Sequence, residues 1–214
     1  MTGSKNLILI FTRNPELGKC KTRLAKTIGD ENALTIYKIL LQHTANVVAQ
    51  IDCDRAVYYS IKVRDNDIWD NTFFQKHQQH GNDLGLRMQN AFANSFKAGY
   101  EKVLIVGSDL YDLKPKHIQE ALDNLDNYDV TIGPAEDGGY YLLGMKTLHP
   151  NIFENKDWGT ETVREETLKD LQKRNVYHLE ELNDIDLYED LKKYDQLLKR
   201  INFKSNYNEN KTTF

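Results

Sequence analysis

The chain has 214 residues, 40% of them hydrophobic and 28% charged, the composition of a globular protein with a sizeable core rather than of a disordered one. A formal net charge of -4 excludes a global basic field for nucleic acid or an anionic membrane, so any anion site has to be local. The longest apolar runs, Leu7 to Phe11 and Val103 to Val106, fall far short of the roughly 20 residues of a bilayer span, and no signal-peptide h-region is seen. These features predict a cytoplasmic protein with no membrane or nucleic-acid partner.

In chain order, Asn6 to Phe11 reads as a central parallel strand covered on both faces. A polar segment follows, then a helix from Asp30, with Asp30 as its expected N-cap and Ala33, Leu34, Tyr37, Leu41, Thr44, Val48 and Ile51 at helical spacing. Arg55 to Ile61 reads as a strand, Leu84 to Phe96 as a helix stopped by Gly99, Lys102 to Gly107 as a strand, and Pro115 to about Leu125 as a helix. The strand Asp129 to Ile132 is followed so closely by Gly139 to Met145 that no crossover helix fits between them, which predicts an antiparallel pair. Glu161 to Lys173 is expected as a helix, Val176 to Leu179 as a short strand, and Leu187 to Leu198 as a last helix. The alternation predicts an α/β fold with a mixed, mostly parallel sheet flanked by helices. One domain over residues 1–200 is expected, with 201–214 as a frayed polar tail.

Cys20 and Cys53 form no CxxC or Cys/His cluster, which argues against a disulfide framework or a zinc site. Cys20 lies among Lys19, Lys21 and Arg23, where positive potential would favour a thiolate.

Ligands of open α/β sheets bind beyond the carboxyl ends of the strands, which singles out the loops that follow them. After the first strand comes Arg13-Asn14-Pro15-Glu16-Leu17-Gly18-Lys19-Cys20-Lys21-Thr22-Arg23. Its cations, its backbone N–H groups and the helix start after Thr22 suit a di- or triphosphate, although neither GxxxxGK[ST] nor GxGxxG is present. Asp109 in Gly107-Ser108-Asp109-Leu110-Tyr111-Asp112-Leu113 is the expected Mg²⁺ ligand, and Asp112 the cap of the next helix. Gly133-Pro134-Ala135-Glu136-Asp137-Gly138-Gly139-Tyr140 is either a hairpin turn or a place where backbone approaches a ligand, with Asp137 orienting an acceptor. Asp83 and Asp186 each read as N-caps, and Asp186 also as a second metal ligand. Trp158 to Thr162 reads as a capped helix start, with a Trp that can stack on a base or sugar. The histidines pair with no Ser or Cys motif, so no hydrolase triad is found.

In this order the runs FTRNPELGKCKTRL, GNDLGLRM, GSDLYDL, GPAEDGGYYLLG, Trp158 to Val163 and DIDLYEDL resemble the DUF2064 family, also called the radical-SAM/selenodomain-associated or arsenosugar-biosynthesis-type glycosyltransferases. The resemblance covers about Leu7 to Leu191. It implies a Rossmann-like GT-A fold similar to that of phospholactate guanylyltransferases and molybdenum-cofactor nucleotidyltransferases. It also implies that Lys19 to Arg23 form the phosphate loop, that Asp109 is the metal aspartate, and that Asp186 matches the aspartate of a DxDTPEDL-like motif. Tyr111 and Leu187-Tyr188 depart from the family's Pro and Thr-Pro, the GGxGxR loop is missing, and no clear DxD is found.

Nucleotide contacts are therefore expected from Arg13, Gly18, Lys19, Lys21, Thr22, Arg23, Asp83 and Arg87. Acceptor contacts are expected from Gly138, Gly139, Trp158 and Thr160; Mg²⁺ or Mn²⁺ is expected on Asp109 and Asp186; and Lys21, Arg23, Asp109 and Asp137 are expected to carry the chemistry. The first expectation is nucleotidyl transfer from an NTP to the phosphate of a small-molecule acceptor, with loss of pyrophosphate. Glycosyl transfer from a nucleotide sugar and catalytically silent nucleotide binding stand as alternatives.

Overall fold

The computed structural model describes residues 4–201. Its elements in chain order are β1 (Asn6–Thr12), α1 (Thr22–Ile28), α2 (Asp30–Val48), β2 (Asp54–Tyr59), β3 (Gln75–Gln78), α3 (Leu84–Lys97), β4 (Lys102–Val106) and α4 (Pro115–Asn124). They continue with β5 (Val130–Pro134), β6 (Tyr140–Met145), a 3-10 turn (Pro150–Phe153), α5 (Val163–Asp170), β7 (Val176–His178), α6 (Tyr188–Leu191) and α7 (Asp195–Leu198).

Alternate residues of the central strands enter different apolar clusters. Ile8 and Ile10 of β1, Val57 of β2 and Leu104 and Val106 of β4 pack with Tyr37 and Leu41 of α2 and Ile118 and Leu122 of α4. Leu7, Leu9, Ala56, Val103 and Ile105 pack on the opposite face with Met88, Ala91 and Phe92 of α3. Both faces are therefore covered, which is why these strands read as unbroken apolar runs.

The strands lie in the order β3-β2-β1-β4-β6-β5-β7. β1 pairs in parallel with β2 and β4, and β2 with β3, whereas β6 runs antiparallel to β4 and β5 and β7 runs parallel to β5. This is the mixed, mostly parallel sheet expected, and the β5–β6 hairpin is its antiparallel part. Among the described residues no helix is long and apolar enough to cross a membrane. The expected tail at 202–214 lies outside the described residues.

Several local expectations are corrected. Gly29, with φ 82, is the N-cap of α2 and Asp30 its first helical residue. Lys114 precedes α4 in place of Asp112, whose carboxylate instead accepts a hydrogen bond from the Tyr194 hydroxyl. The segment from Leu187 to Leu198 is broken into α6 and α7 rather than one helix. α5 begins at Val163 without a side-chain cap, so Trp158 to Thr162 is loop. β3 escapes the hydrophobic pattern because Gln-Lys-His-Gln is an edge strand with no buried residue.

Candidate functional site

Two cavities meet beyond the carboxyl ends of β1 and β4, where the chain order of the sheet switches direction. The larger, of about 770 Å³, is lined by both ends of the 13–23 loop, Arg13 with Asn14 and Lys19 to Arg23, and faced by Ser60, Gln79 and Arg87. The smaller, of about 270 Å³, is walled by Phe11, Met88, Ile105, Tyr140, Leu143 and Trp158. Gly107, Asp109, Asp137, Gly159 and Asp184 line both.

The 13–23 loop is anchored at its start. The Tyr37 hydroxyl, from α2, accepts from Arg13 N at 2.9 Å and donates to Arg13 O at 3.2 Å. The buried Asn14 carboxamide accepts from Ile61 N at 3.0 Å and donates to Lys62 O at 2.8 Å, tying the loop to the segment after β2. At the far end Lys21 is the N-cap of α1 and holds φ 49, ψ 45. A non-glycine residue in this left-handed region is strained by about 1–3 kcal/mol and persists only where its surroundings fix it.

Those surroundings are carboxylates. Lys21 Nζ donates to Asp109 Oδ2 at 2.9 Å and lies 3.8 Å from Asp186 Oδ1, its side chain only 6% exposed. Burial pulls the ammonium's pKa down, but the charge and hydrogen bond of Asp109, with Asp184 and Asp186, outweigh it and hold it above the ordinary lysine value. Arg23 donates to Asp186 Oδ2 at 3.1 Å.

Asp109 and Asp186 come from loops that are stitched together, since Ile185 N donates to Asp109 O at 3.2 Å. Ile185 is fully buried, so its neighbours Asp184 and Asp186 both turn to the cleft. Asp190, not Asp186, caps α6, its Oδ2 accepting from Leu187 N at 2.7 Å and Asp186 N at 3.2 Å. Burial, and next the Asp109 charge, push the Asp184 carboxyl up to about 7.

Of the expected nucleotide residues, Arg13, Lys19, Lys21, Thr22, Arg23 and Arg87 line the larger cavity. Gly18 and Asp83 line neither cavity. Gly18 is a turn residue turned toward Asp30, and Asp83 caps α3, its Oδ1 accepting from Leu86 N at 2.8 Å. Of the expected acceptor residues, Gly139, Trp158 and Thr160 line the smaller cavity, while Gly138 packs its α-carbon on Glu161. Asp137, with Oδ1 accepting from Gly139 N at 2.8 Å, lies where the cavities join. Cys20 is buried, donates to Glu16 O, and has its pKa raised by burial, so the neighbouring cations do not make it a thiolate.

Sequence reasoning missed Asp184, Asn14, Tyr37, Ser60 and Gln79. A signal for Asp184 was present: Asp184-Ile185-Asp186 is itself a DxD about a buried isoleucine.

Among the described residues no group of three or more His, Cys, Asp or Glu side chains is arranged to hold a metal ion unaided. Two carboxylates are what Mg²⁺ takes from protein when phosphate and water complete its shell, so Asp109 and Asp186 fit such an ion together with a nucleotide.

A family model described as "Uncharacterized protein conserved in bacteria (DUF2064)" matches residues 43–160. The chain is 28% identical over 164 residues to the 2-phospho-L-lactate guanylyltransferase of Methanocaldococcus jannaschii, covering 75% of this chain and 67% of that one. A solved protein from Desulfovibrio desulfuricans G20, provisionally described as a nucleotide-diphospho-sugar transferase, is 32% identical with a TM-score of 0.82, covering 93% of this chain and 92% of its own. The fold is also that of the 4-diphosphocytidyl-2C-methyl-D-erythritol synthase of Anaerococcus prevotii, at 12% identity and a TM-score of 0.60 over 92% of this chain and 97% of that one.

Proposed function

The chain belongs to the DUF2064 family, and from that premise we propose that it is a nucleotide-dependent transferase that moves a nucleotidyl group from an NTP to a small-molecule acceptor. The observation that carries this reading is the set of cations in the larger cavity, where Arg13, Lys19, Lys21, Arg23 and Arg87 converge beside the carboxylates of Asp109, Asp137, Asp184 and Asp186. Such a cation count suits the charge of a triphosphate and of the pyrophosphate that leaves it.

Lys21 and Arg23 hold the β- and γ-phosphates, and the backbone of the 13–23 loop fixes their direction. The acceptor oxygen, placed beside Asp137 in the smaller cavity, attacks the α-phosphorus while the bond to pyrophosphate breaks, so catalysis is chiefly positioning and charge neutralisation. Asp109 and Asp186 would hold Mg²⁺ or Mn²⁺, which when bound supplies further neutralisation of phosphate charge. The 28% identity to guanylyltransferases supports nucleotidyl transfer.

Glycosyl transfer from a nucleotide sugar is the second reading, favoured by the 32% identity to the provisionally described nucleotide-diphospho-sugar transferase. Incubation of the protein and Mg²⁺ with a pool of small metabolites separates the two, given an NTP in one arm and a nucleotide sugar in the other. Pyrophosphate from the NTP arm alone is the expected result. Nucleoside diphosphate released only from the sugar arm would replace nucleotidyl transfer by glycosyl transfer.

A further inference from the structure

The smaller cavity is lined by no Lys, Arg or His. Its polar side-chain groups are the carboxylates of Asp109, Asp137 and Asp184 and the Thr160 hydroxyl, the Tyr141 hydroxyl donates instead to Glu180 O at 3.0 Å, and the rest of its wall is apolar or aromatic. Arg87, beside Met88 of the wall, lines the larger cavity and donates from Nε to Gly81 O at 2.9 Å, and other cations near the lining residues in sequence are engaged elsewhere. Arg164 donates to Glu181 at 2.6 Å and to Ala135 O at 3.3 Å, Lys156 to Asp170 at 2.6 Å, and Lys193 to Glu136 at 3.1 Å. Lys21 lines the larger cavity and not the smaller.

A phosphate or carboxylate placed in this cavity would have no charged donor and would face like charge in a half-apolar setting, where screening is weak. A hydroxyl is suited instead: it can donate to a carboxylate, and the aromatic wall covers an apolar body. Resting on the assignment of the larger cavity to the nucleotide, we propose that the acceptor is an unphosphorylated alcohol with an apolar body, carrying no anionic group. Its hydroxyl oxygen forms the bond to the α-phosphorus, the bond from that phosphorus to pyrophosphate breaks, and the hydroxyl proton passes to the Asp137 carboxylate. This acceptor differs from that of the archaeal relatives, whose name specifies 2-phospho-L-lactate, a molecule with both a phosphate and a carboxylate.

The test measures affinity by ligand-observed NMR on the full chain, saturated with Mg²⁺ and an α,β-methylene NTP, for benzyl alcohol and benzyl phosphate. The alcohol is expected to bind more than about tenfold tighter than its phosphate ester. Thr160→Lys, at an exposed position of the cavity wall, is expected to raise affinity for the phosphate by about two- to fivefold, a gain that misfolding cannot imitate. Equal or tighter binding of the phosphate, binding of neither probe, or an unchanged phosphate affinity in Thr160→Lys would overturn the proposal, as would pyrophosphate release from GTP with 2-phospho-L-lactate. If the analogue itself fails to bind, the nucleotide assignment falls, and the probes ranked on the free chain still judge the cavity.

Discussion

Lys21 Nζ sits 2.9 Å from Asp109 Oδ2 and 3.8 Å from Asp186 Oδ1, so in the free chain an ammonium occupies the space between the two carboxylates that would hold a metal. A triphosphate that draws Lys21 away frees Asp109, and nucleotide and metal then enter together. Lys21→Met leaves Asp109 without its counter-charge and Asp186 with Arg23 alone. Manganese titrated by electron paramagnetic resonance is expected to bind that variant without nucleotide and the unaltered chain only with it. Equal nucleotide-free binding by both proteins would show that Lys21 does not guard the site.

The Asp184 carboxyl gives a pH dependence of stability. Its folded pKa of about 7 lies above the ordinary 3.8, because of burial and the neighbouring Asp109 charge. Between those values the folded chain holds a proton that the unfolded chain releases. The contribution is therefore fully present below about pH 3.8 and is lost as pH rises through about 7, and the gap is worth up to ~4 kcal/mol. Chemical denaturation between pH 4 and 8 should show this decline in the nucleotide-free protein and a flatter profile in Asp184→Asn. Parallel profiles for the two proteins would remove Asp184 as its source.

Tyr37 anchors the 13–23 loop through both backbone groups of Arg13. Tyr37→Phe strands the Arg13 N–H, while Arg13 O keeps the Thr12 hydroxyl at 3.1 Å, at a cost of about 1–3 kcal/mol in stability. Because the loop start loosens, NTP affinity is expected to fall beyond what the stability loss explains, as read by calorimetry below the unfolding temperature. Unaltered affinity would mean that the loop is set by Asn14 alone.

At Gly138, φ is 87 and an added Cβ would lie 2.2 Å from Glu161 O and 2.6 Å from Glu161 Cα. Gly138→Ala forces the Asp137 turn away from the 158–163 loop, since backbone cannot yield as a flexible side chain does. A loss of about 1–3 kcal/mol is expected, together with weaker binding in the smaller cavity. A melting temperature equal to that of the unaltered protein would show that the turn relaxes freely.

The sheet was legible because its central strands are covered on both faces and so spell out apolar runs such as Asn6 to Phe11. The all-polar β3 carried no such signature, and the apolar periodicity of 187–198 runs through the break between α6 and α7. In the cleft, Arg13, Lys19, Lys21, Arg23 and Asp109 were legible because each follows a buried strand. Ser60 and Gln79 were not, because their place depends on how distant loops meet, whereas Asp184 left a signal in the Asp184-Ile185-Asp186 pattern. The Ile185 N–H that donates to Asp109 O brings together residues some seventy-five positions apart in the sequence, a contact that spacing alone does not encode. Gly18 and Asp83 show the reverse case, in which turn and capping chemistry imitates a ligand site.

The proposed transfer depends on a triphosphate bound in the larger cavity. Isothermal titration of the full chain with ATP, GTP, CTP and UTP, and with the corresponding nucleotide sugars, in the presence of Mg²⁺ tests it most directly. At least one NTP is predicted to bind more tightly than every nucleotide sugar, and to lose that advantage in Arg23→Met and in Lys21→Met. Binding of a nucleotide sugar in preference to all four NTPs, or of none of these ligands, would contradict the account.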